Sequence, residues 1–288
     1  MPKNSKIHQQ FNSYNPIWRK LFQNDFQYMD YEYPKVSIII PTYNCAQIID
    51  ITLRSLIDQE YPNFEIIIID GGSTDRTLEV VKGFKNEHIH IHPISRFQRY
   101  EMLNKGITHS NGQYINCMFP GDFYVNKSTL RTMMQLALDS DLPSMVFCGT
   151  LLRDGVKEPK ILYRHLTLKL LRRGQQPTSL QSCWIRSDVF EKIGKFNTHF
   201  NLRGGFDFMC RYSLYGGLRS NSMNHILTDY DLRHVTREMV VEHFKETLYI
   251  IWTYFGMKSL VKWLFIQKDF HRFFKLWGKS VQNAFLKK

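Results

Sequence analysis

The sequence contains few cysteines, and they lack the spacings in which cysteines usually act together. Its 288 residues include five cysteines, and no two of them form a C-x-x-C pair. Neither a zinc site nor a disulfide framework is therefore indicated. We expect buried thiols in a protein that folds in a reducing compartment.

Long apolar runs are also absent. The N-terminal residues are polar and lack the apolar core of a signal peptide. No stretch provides the roughly 18 consecutive apolar residues that a membrane-spanning helix needs. The sequence thus predicts a cytoplasmic protein, whose contact with a membrane would be peripheral and on the inner face of the cytoplasmic membrane.

Acidic residues are outnumbered by basic ones. The chain has 38 Lys and Arg against 26 Asp and Glu, which gives a formal net charge of +12. Such a balance suits nucleic acid, an anionic membrane surface or phosphorylated substrates. The charge is concentrated near the C-terminus and no recognised nucleic-acid-binding module is present, so we expect no nucleic-acid partner.

Two kinds of apolar pattern alternate along the first half of the chain. Short β-branched runs such as 36–40 (VSIII) predict buried parallel strands, and stretches of helical period such as 46–59 predict helices between them. This alternation predicts an α/β fold with a predominantly parallel sheet flanked by helices. The predicted strands are 36–40, 64–69, 88–92, 113–119 and 145–151, and the predicted helices are 46–59, 75–84, 98–109, 127–138 and 188–194.

The same patterns divide the chain into three segments. Residues 1–34 form an N-terminal extension, 35–225 the main domain, and 226–288 a small helical and basic C-terminal extension. Residues 152–182 are expected to be loop-rich. In open α/β sheets, ligands bind at the carboxyl ends of the strands. Polar clusters at these ends are therefore the candidate site.

The first cluster is Pro41-Thr42-Tyr43-Asn44, directly after the first strand. A hydroxyl, an aromatic ring and an amide lie together where a base or a ribose could be held. A strand-to-helix turn without a ligand explains the same residues equally well.

The second cluster runs from Asp70 to Thr77. Asp70 ends a buried strand, Gly72 permits close approach of a ligand, and an acid at this place can accept hydrogen bonds from a nucleobase or ribose. The alternative is a capped helix start, in which Asp75 favours the helix dipole. The glycine-rich signatures of dinucleotide-binding and P-loop proteins are both absent.

Taken together, the two clusters resemble the opening of family 2 glycosyltransferases. The motifs are V-S-I-I-I-P-T-Y-N and I-I-I-I-D-G-G-S-T-D-R-T, and the resemblance continues to about residue 215. It implies a GT-A fold, a nucleotide-diphosphate-sugar donor, a divalent cation, and transfer with inversion. The segment Tyr100–Ile107 (YEMLNKGI) is similar to transferases that build bacterial capsule, exopolysaccharide and O-antigen.

The resemblance implies a role for each matching residue. Asp122, after the fourth strand, would hold Mn²⁺ or Mg²⁺, although many family members have two or three acids where this chain reads F-P-G-D. A single carboxylate with phosphate oxygens and waters can still bind such a cation. The expected donor-binding residues are Pro41, Thr42, Tyr43, Asn44, Asp70, Gly72, Asp75, Asn104, Lys105 and Gly121.

The general base is where the sequence departs from the family. The family places an acid pair before a helix, and here the segment reads G-G-F-D-F-M-C-R, so the usual base position falls on Gly205. We predict Asp207 as the base; Asp188 or Glu101 could serve instead, or transfer could be weak. Asp207 could equally be a helix cap or a partner for Arg211.

The C-terminal tail combines positive charge with aromatic residues. Residues 258–288 contain eight Lys or Arg and a single acid, Asp269. This composition is typical of a helix that binds at an anionic membrane surface. The alternative is that its aromatic residues pack on the main domain while its lysines face water.

These features predict an inverting glycosyltransferase of bacterial surface polysaccharide synthesis. It would move a sugar from a nucleotide-diphosphate sugar, with UDP favoured, to a glycan or polyprenyl-diphosphate-linked acceptor. The alternative is a catalytically weak or inactive nucleotide-sugar-binding partner of another transferase.

Overall fold

A computed structural model describes residues 33–155, 157–233 and 235–266. Residues 1–32 of the predicted N-terminal extension 1–34, and residues 267–288 of the predicted basic tail 258–288, lie outside these ranges. Within them, no helix is long and apolar enough to cross a membrane.

A single sheet of eight strands forms the centre of the described structure. Its order is β3-β2-β1-β4-β7-β5-β6, and β8, which is outside this order, also pairs with β5. Strands β1 to β4 are mutually parallel, as are β5 and β8, whereas β7 is antiparallel to both β4 and β5. The strands are β1 (Val36–Thr42), β2 (Phe64–Asp70), β3 (Ile89–Pro93), β4 (Tyr114–Cys117), β5 (Met145–Arg153), β6 (Lys160–Leu162), β7 (Cys183–Arg186) and β8 (Ser220–Asp231).

Helices cover both faces of this sheet. Successive residues of a strand point to opposite faces. Accordingly, Ile39 packs in a cluster with α3, α7 and α8, whereas Ile38 and Ile40 pack with α1, α2 and α4. The helices are α1 (Ile49–Ile57), α2 (Thr77–Gly83), α3 (Arg99–His109), α4 (Thr129–Asp139), α5 (Leu168–Leu171), α6 (Asp188–Ile193), α7 (Gly204–Tyr215) and α8 (Arg237–Ile266), which is kinked at Gly256.

The predicted α/β sheet flanked by helices is confirmed, and its strands through β5 begin and end within two residues of the predicted bounds. Three strands were not predicted. Residues 160–162 lie in a segment expected to be loop-rich, and β8 is polar and largely exposed over its first half. Its hydrogen bonds to β5, rather than an apolar pattern, make it a strand. The predicted end of the main domain at residue 225 lies inside β8.

Candidate active site

The carboxylate of Asp70 organises the loop that follows β2. This residue is 1% exposed. Its Oδ1 accepts hydrogen bonds from the hydroxyls of Ser73 at 2.6 Å and Thr42 at 3.2 Å, and its Oδ2 accepts from the backbone N–H groups of Ser73 at 2.9 Å and Gly72 at 3.1 Å. Gly72 has a φ of 83°, which a residue with a side chain rarely adopts. Asp70 therefore fixes the shape of this loop against the end of β1.

Asn44 and Asp75 join the loop after β1 to the loop after β2. The side-chain oxygen of Asn44 accepts from the N–H groups of Thr74 at 2.8 Å and Asp75 at 3.3 Å. The carboxylate of Asp75 accepts from the N–H groups of Ala46 at 3.1 Å and Thr77 at 2.9 Å. A hydrogen bond from the Thr77 hydroxyl lowers the pKa of Asp75. The two loops thus form one hydrogen-bonded unit, in which Asp75 supports the start of α2.

An exposed pair of aromatic rings lies beside these loops. Tyr43 is 44% exposed and Phe97 is 47% exposed. Their rings are stacked, with centroids 5.2 Å apart. A Cβ on Gly71 would lie 3.1 Å from Phe97, so this glycine allows the chain after β3 to lie close over the loop. The rings offer a flat apolar surface on which a nucleobase can stack.

Asp122 lies in the turn that follows β4. Its backbone N–H donates to the carbonyl of Phe119 at 3.0 Å, and Gly121 before it has a φ of 94°. The Asp122 residue is 3% exposed. Its carboxylate accepts from the side-chain amide of Gln181 at 2.9 Å and from the backbone N–H of Asp231 at 2.9 Å. Burial raises the pKa of Asp122 well above its ordinary value, because the ionised form loses its water.

Two further acids at the end of β8 lie near Asp122, and neither was predicted. Asp229 is held by Arg153 through two hydrogen bonds of 2.8 and 3.1 Å. Asp231 is held by Arg233, which donates at 2.6 Å and lowers the pKa of Asp231 to about 2. In the described part of the chain, no three His, Cys, Asp or Glu side chains come together as metal ligands.

Arg99 brings a positive charge to the same region. It is the first residue of α3, and its guanidinium lies over the ring of Phe119 at 5.0 Å from the centroid. Its charge opposes the rise in pKa that burial causes at Asp122 and Tyr230. Arg99 is thus positioned to meet an anionic ligand beside Asp122. Its place at the start of a predicted helix was the signal that could have identified it.

The segment in which the family carries its general base begins α7. Asp207 is 1% exposed, accepts from Arg211 at 3.0 Å, and accepts from the hydroxyl of Tyr254 on α8 at 2.7 Å. The backbone N–H of Gly205 donates to the hydroxyl of Tyr100 at 3.2 Å. The nearest atoms to a Cβ at Gly205 would be those of Leu180, at 3.6 Å or more, so a Cβ there would make only ordinary van der Waals contacts.

The other two candidate bases lie elsewhere. Asp188 is paired with Arg186, which is in register with Tyr114 at the first residue of β4. It therefore lies at the edge of the sheet opposite Asp122, and Arg186 lowers its pKa to about 2. Glu101 is exposed in the first turn of α3, where its backbone N–H donates to the side chain of Gln98.

A family model identifies the protein. Residues 37–209 match the model described as glycosyl transferase family 2. The chain belongs to this family. The matched span begins in β1 and ends in α7, so it contains the loops after β1 and β2, Asp122 and the segment of Asp207.

Relatives of this glycosyltransferase include proteins named for the biosynthesis of PGL/p-HBAD and of teichuronic acid. This chain is 25% identical to a PGL/p-HBAD biosynthesis glycosyltransferase of Mycobacterium bovis. The alignment spans 201 residues, which are 69% of this chain and 77% of the relative. This chain is 26% identical over 204 residues to the putative teichuronic acid biosynthesis glycosyltransferase TuaG of Bacillus subtilis, which covers 69% of this chain and 79% of the relative.

Solved structures confirm the GT-A fold of the glycosyltransferase. Residues 1–349 of TarS from S. aureus, in complex with UDP-GlcNAc, align with a TM-score of 0.62 at 19% identity, over 80% of this chain and 71% of that one. A mannosyltransferase from Pyrobaculum calidifontis, in complex with GDP-Man and Mn²⁺, aligns with a TM-score of 0.55 at 18% identity, over 80% of this chain and 74% of that one.

Most of the predicted donor residues of the glycosyltransferase are brought together, but two are not. The loops after β1, β2 and β4 collect Pro41–Asn44, Asp70–Asp75 and Gly121–Asp122 at one edge of the sheet. Asn104 instead uses both ends of its amide on the backbone of Phe196, at 2.8 and 2.9 Å. Lys105 is exposed on α3, about 9 Å along the helix axis from Arg99.

Proposed function

We propose that this glycosyltransferase moves a sugar from a UDP-sugar to a hydroxyl of a glycan or polyprenyl-diphosphate-linked acceptor, with inversion, in bacterial surface polysaccharide synthesis. The observation that carries the proposal is that the loops after β1 and β2, which we call the nucleotide loops, meet Asp122 at one edge of the sheet. UDP is favoured because the TarS structures contain UDP and UDP-GlcNAc. The acceptor class is supported by the relative named for teichuronic acid biosynthesis.

Each part of the donor has a proposed partner. The nucleobase stacks at the aromatic pair of Tyr43 and Phe97, and the ribose lies against the unit built by Asp70. The diphosphate meets Arg99, whose charge suits it better than the distant Lys105. The remaining proposed donor contacts are Pro41, Thr42, Asn44, Gly72, Asp75 and Gly121, whereas the amide of Asn104 is engaged by Phe196.

The chemistry of Asp122 fits a divalent cation carried by the donor. Mg²⁺ in such sites is usually bound by one or two carboxylates together with substrate phosphates and waters. Asp122 is buried, and its bonds come from an amide and a backbone N–H rather than from a cation. Mn²⁺ or Mg²⁺ at this carboxylate would stabilise negative charge on the leaving diphosphate.

Inversion requires one displacement and one proton acceptor. The acceptor oxygen forms a bond to the anomeric carbon, the bond from that carbon to the β-phosphate oxygen breaks, and UDP leaves with the electron pair. The hydroxyl proton passes to a carboxylate within hydrogen-bond reach. Asp207 is the single acid between residues 204 and 211 and is the proposed base. Its bonds to Arg211 and Tyr254 must loosen first, so we expect slow transfer.

A catalytically weak or inactive donor-binding protein is the second candidate function. It is favoured by two observations together: glycine occupies position 205, and both carboxylate oxygens of Asp207 are already engaged. Donor binding would be retained in this case, and only turnover separates the two candidates.

Donor and cation binding can be tested together by thermal shift. We expect UDP-sugars to raise the melting temperature, and Mn²⁺ to raise it further. Asp122→Ala should abolish the increment due to Mn²⁺ and lower turnover by about 10²-fold or more, because the cation contributes several kcal/mol to leaving-group stabilisation. Asp58→Ala, at an exposed carboxylate after α1, is the matched control and should behave as wild type. The proposal is wrong if no nucleotide sugar stabilises the protein.

We also propose peripheral contact with an anionic membrane through 258–288. The described part of this segment and the rest of α8 carry exposed apolar residues alongside Lys258 and Lys262. Each lysine near an anionic surface contributes about 1 kcal/mol to binding. Replacing Lys258 and Lys262 with Gln should therefore weaken binding to phosphatidylglycerol vesicles by about 30-fold.

Sedimentation with vesicles measures this contact. Lys82→Gln combined with Lys127→Gln is the matched control, since both lysines are exposed and lie outside α8. Equal sedimentation of both double variants would argue against the tail as the binding surface. Binding of the wild-type protein to neutral phosphatidylcholine vesicles as strongly as to phosphatidylglycerol vesicles would argue against it as well.

A further inference from the structure

The C-terminal helix α8 contacts the base segment at two separate places. Its Tyr254 donates to Asp207, and its Glu246 accepts from the backbone that precedes α7. Residues 237–266 lie outside the span matched by the family model. The helix thus supplies contacts to the catalytic segment from beyond the part of the chain that defines the family.

The carboxylate of Glu246 accepts hydrogen bonds from three consecutive backbone N–H groups. Its Oε1 accepts from the N–H of Asn201 at 2.6 Å, and its Oε2 accepts from the N–H groups of Leu202 at 3.0 Å and Arg203 at 2.6 Å. The carboxylate is buried among these donors. Consecutive N–H groups that converge in this way form an anion-binding concavity, and here the anion is a side chain of the same protein.

The backbone that Glu246 binds continues directly into Gly205, the position at which the family carries its base. Tyr100 holds the other side of this segment, because its hydroxyl donates to the carbonyl of Leu202 at 2.8 Å and accepts from the N–H of Gly205. A Cβ on Gly204 would lie 2.7 Å from the Tyr100 ring, so the backbone here is in close contact with α3. The start of α7 is therefore held between Glu246 and Tyr100.

The side chain of Arg203 adds a third constraint. Its guanidinium lies over the ring of Phe206 at 4.1 Å and donates to the carbonyl of Gly174 at 2.8 Å. Burial lowers the pKa of Arg203 to about 10. The carboxylate of Glu246 acts in the opposite direction and favours the charged form. Glu246 thus supports both the backbone and the buried cation of this segment.

We propose that Glu246 is a positioning residue for transfer: by binding the N–H groups of residues 201–203 it fixes the start of α7, and with it the geometry of the proton acceptor. This inference rests on the proposed function, since it assigns Glu246 to the acceptor side of that reaction. Donor binding, which uses the loops after β1, β2 and β4, does not depend on it.

Glu246→Gln in the full chain tests the proposal. Glutamine keeps the shape of the side chain but replaces one acceptor oxygen with a donor that faces backbone N–H groups. We expect amide hydrogen exchange at 201–203 to quicken at least tenfold, and turnover of the stabilising UDP-sugar to fall at least tenfold. The midpoint of UDP binding should stay within about twofold, because the nucleotide loops are untouched. Glu242→Gln, one turn earlier on α8, should change none of the three.

The outcomes separate this inference from the function on which it rests. Faster exchange with unchanged turnover overturns the positioning role, and unchanged exchange overturns the contact itself. Loss of UDP binding along with turnover would show a general structural role instead. Should Glu246→Gln fold poorly, Glu246→Asp, which keeps the charge but shortens the reach, should give intermediate exchange and turnover. If wild type binds no nucleotide sugar, the proposed function fails, while exchange at 201–203 still reports on the contact.

Discussion

An aspartate introduced at Gly205 is expected to raise the turnover of this glycosyltransferase by about 10²-fold, since a positioned general base contributes roughly 10²–10⁴ to a rate. The family places its base at this position, and a Cβ here would meet Leu180 at ordinary contact distances. A carboxylate in the first turn of α7 is also favoured by the helix dipole. The measurement is the initial rate of UDP release from the stabilising UDP-sugar, which requires no knowledge of the acceptor because water can take its place.

Two substitutions control for effects other than basicity. Gly205→Asn has the same size as the aspartate variant but cannot accept the proton, so it should show no gain. Gly204→Asp should lower the melting temperature, because its Cβ would lie 2.7 Å from the ring of Tyr100. An equal gain in the asparagine variant would show that a carboxylate at position 205 does not act as a base, and so would an unchanged rate in a Gly205→Asp protein that still binds UDP.

The first half of the fold could be predicted because β1, β2 and β4 are buried on both faces. Parallel strands covered by helices contain continuous apolar runs, and β2 is buried at all seven of its positions. β8 gives no such signal, since it is exposed over much of its length and exists through its register with β5. A pairing between residues so far apart in sequence leaves no local pattern to detect.

In the candidate site, too, contacts that are local in sequence could be predicted and long-range contacts could not. That Asn44, Asp70 and Asp75 lie together could be predicted, because each is bonded within its own loop or to the neighbouring loop; their role in donor binding stays a prediction. The partners of Asp122 could not be predicted, since Asp231 lies 109 residues away in sequence. Asn104 matched a family motif, but a motif does not show whether an amide is free, and here Phe196 occupies it.

Replacing Asp70 with Asn is expected to reduce the affinity for UDP by about 10²-fold. The new amide group would face the part-buried N–H groups of Gly72 and Ser73, and a lost hydrogen bond to a charged group costs about 1.5–3 kcal/mol. The loss would fall on the loop that bounds the proposed nucleotide pocket, so both the folded protein and its complex should be affected. Isothermal titration with UDP and a thermal melt of the free protein measure the two effects separately.

Asp50→Asn provides the matched comparison, because it makes the same chemical change in an exposed i,i+4 ion pair with Arg54. Exposed ion pairs contribute little to stability because water screens them, so the melting temperature and the UDP affinity should stay close to wild type. The decisive quantity is the affinity rather than the stability. If Asp70→Asn lowers the melting temperature yet binds UDP as wild type does, Asp70 is a structural residue of a loop that the donor does not touch, and the nucleotide must bind elsewhere on the sheet. If the affinity for UDP falls and the backbone N–H of Asn44 also exchanges its hydrogen faster, the two loops bind the nucleotide as the single unit that their shared hydrogen bonds imply.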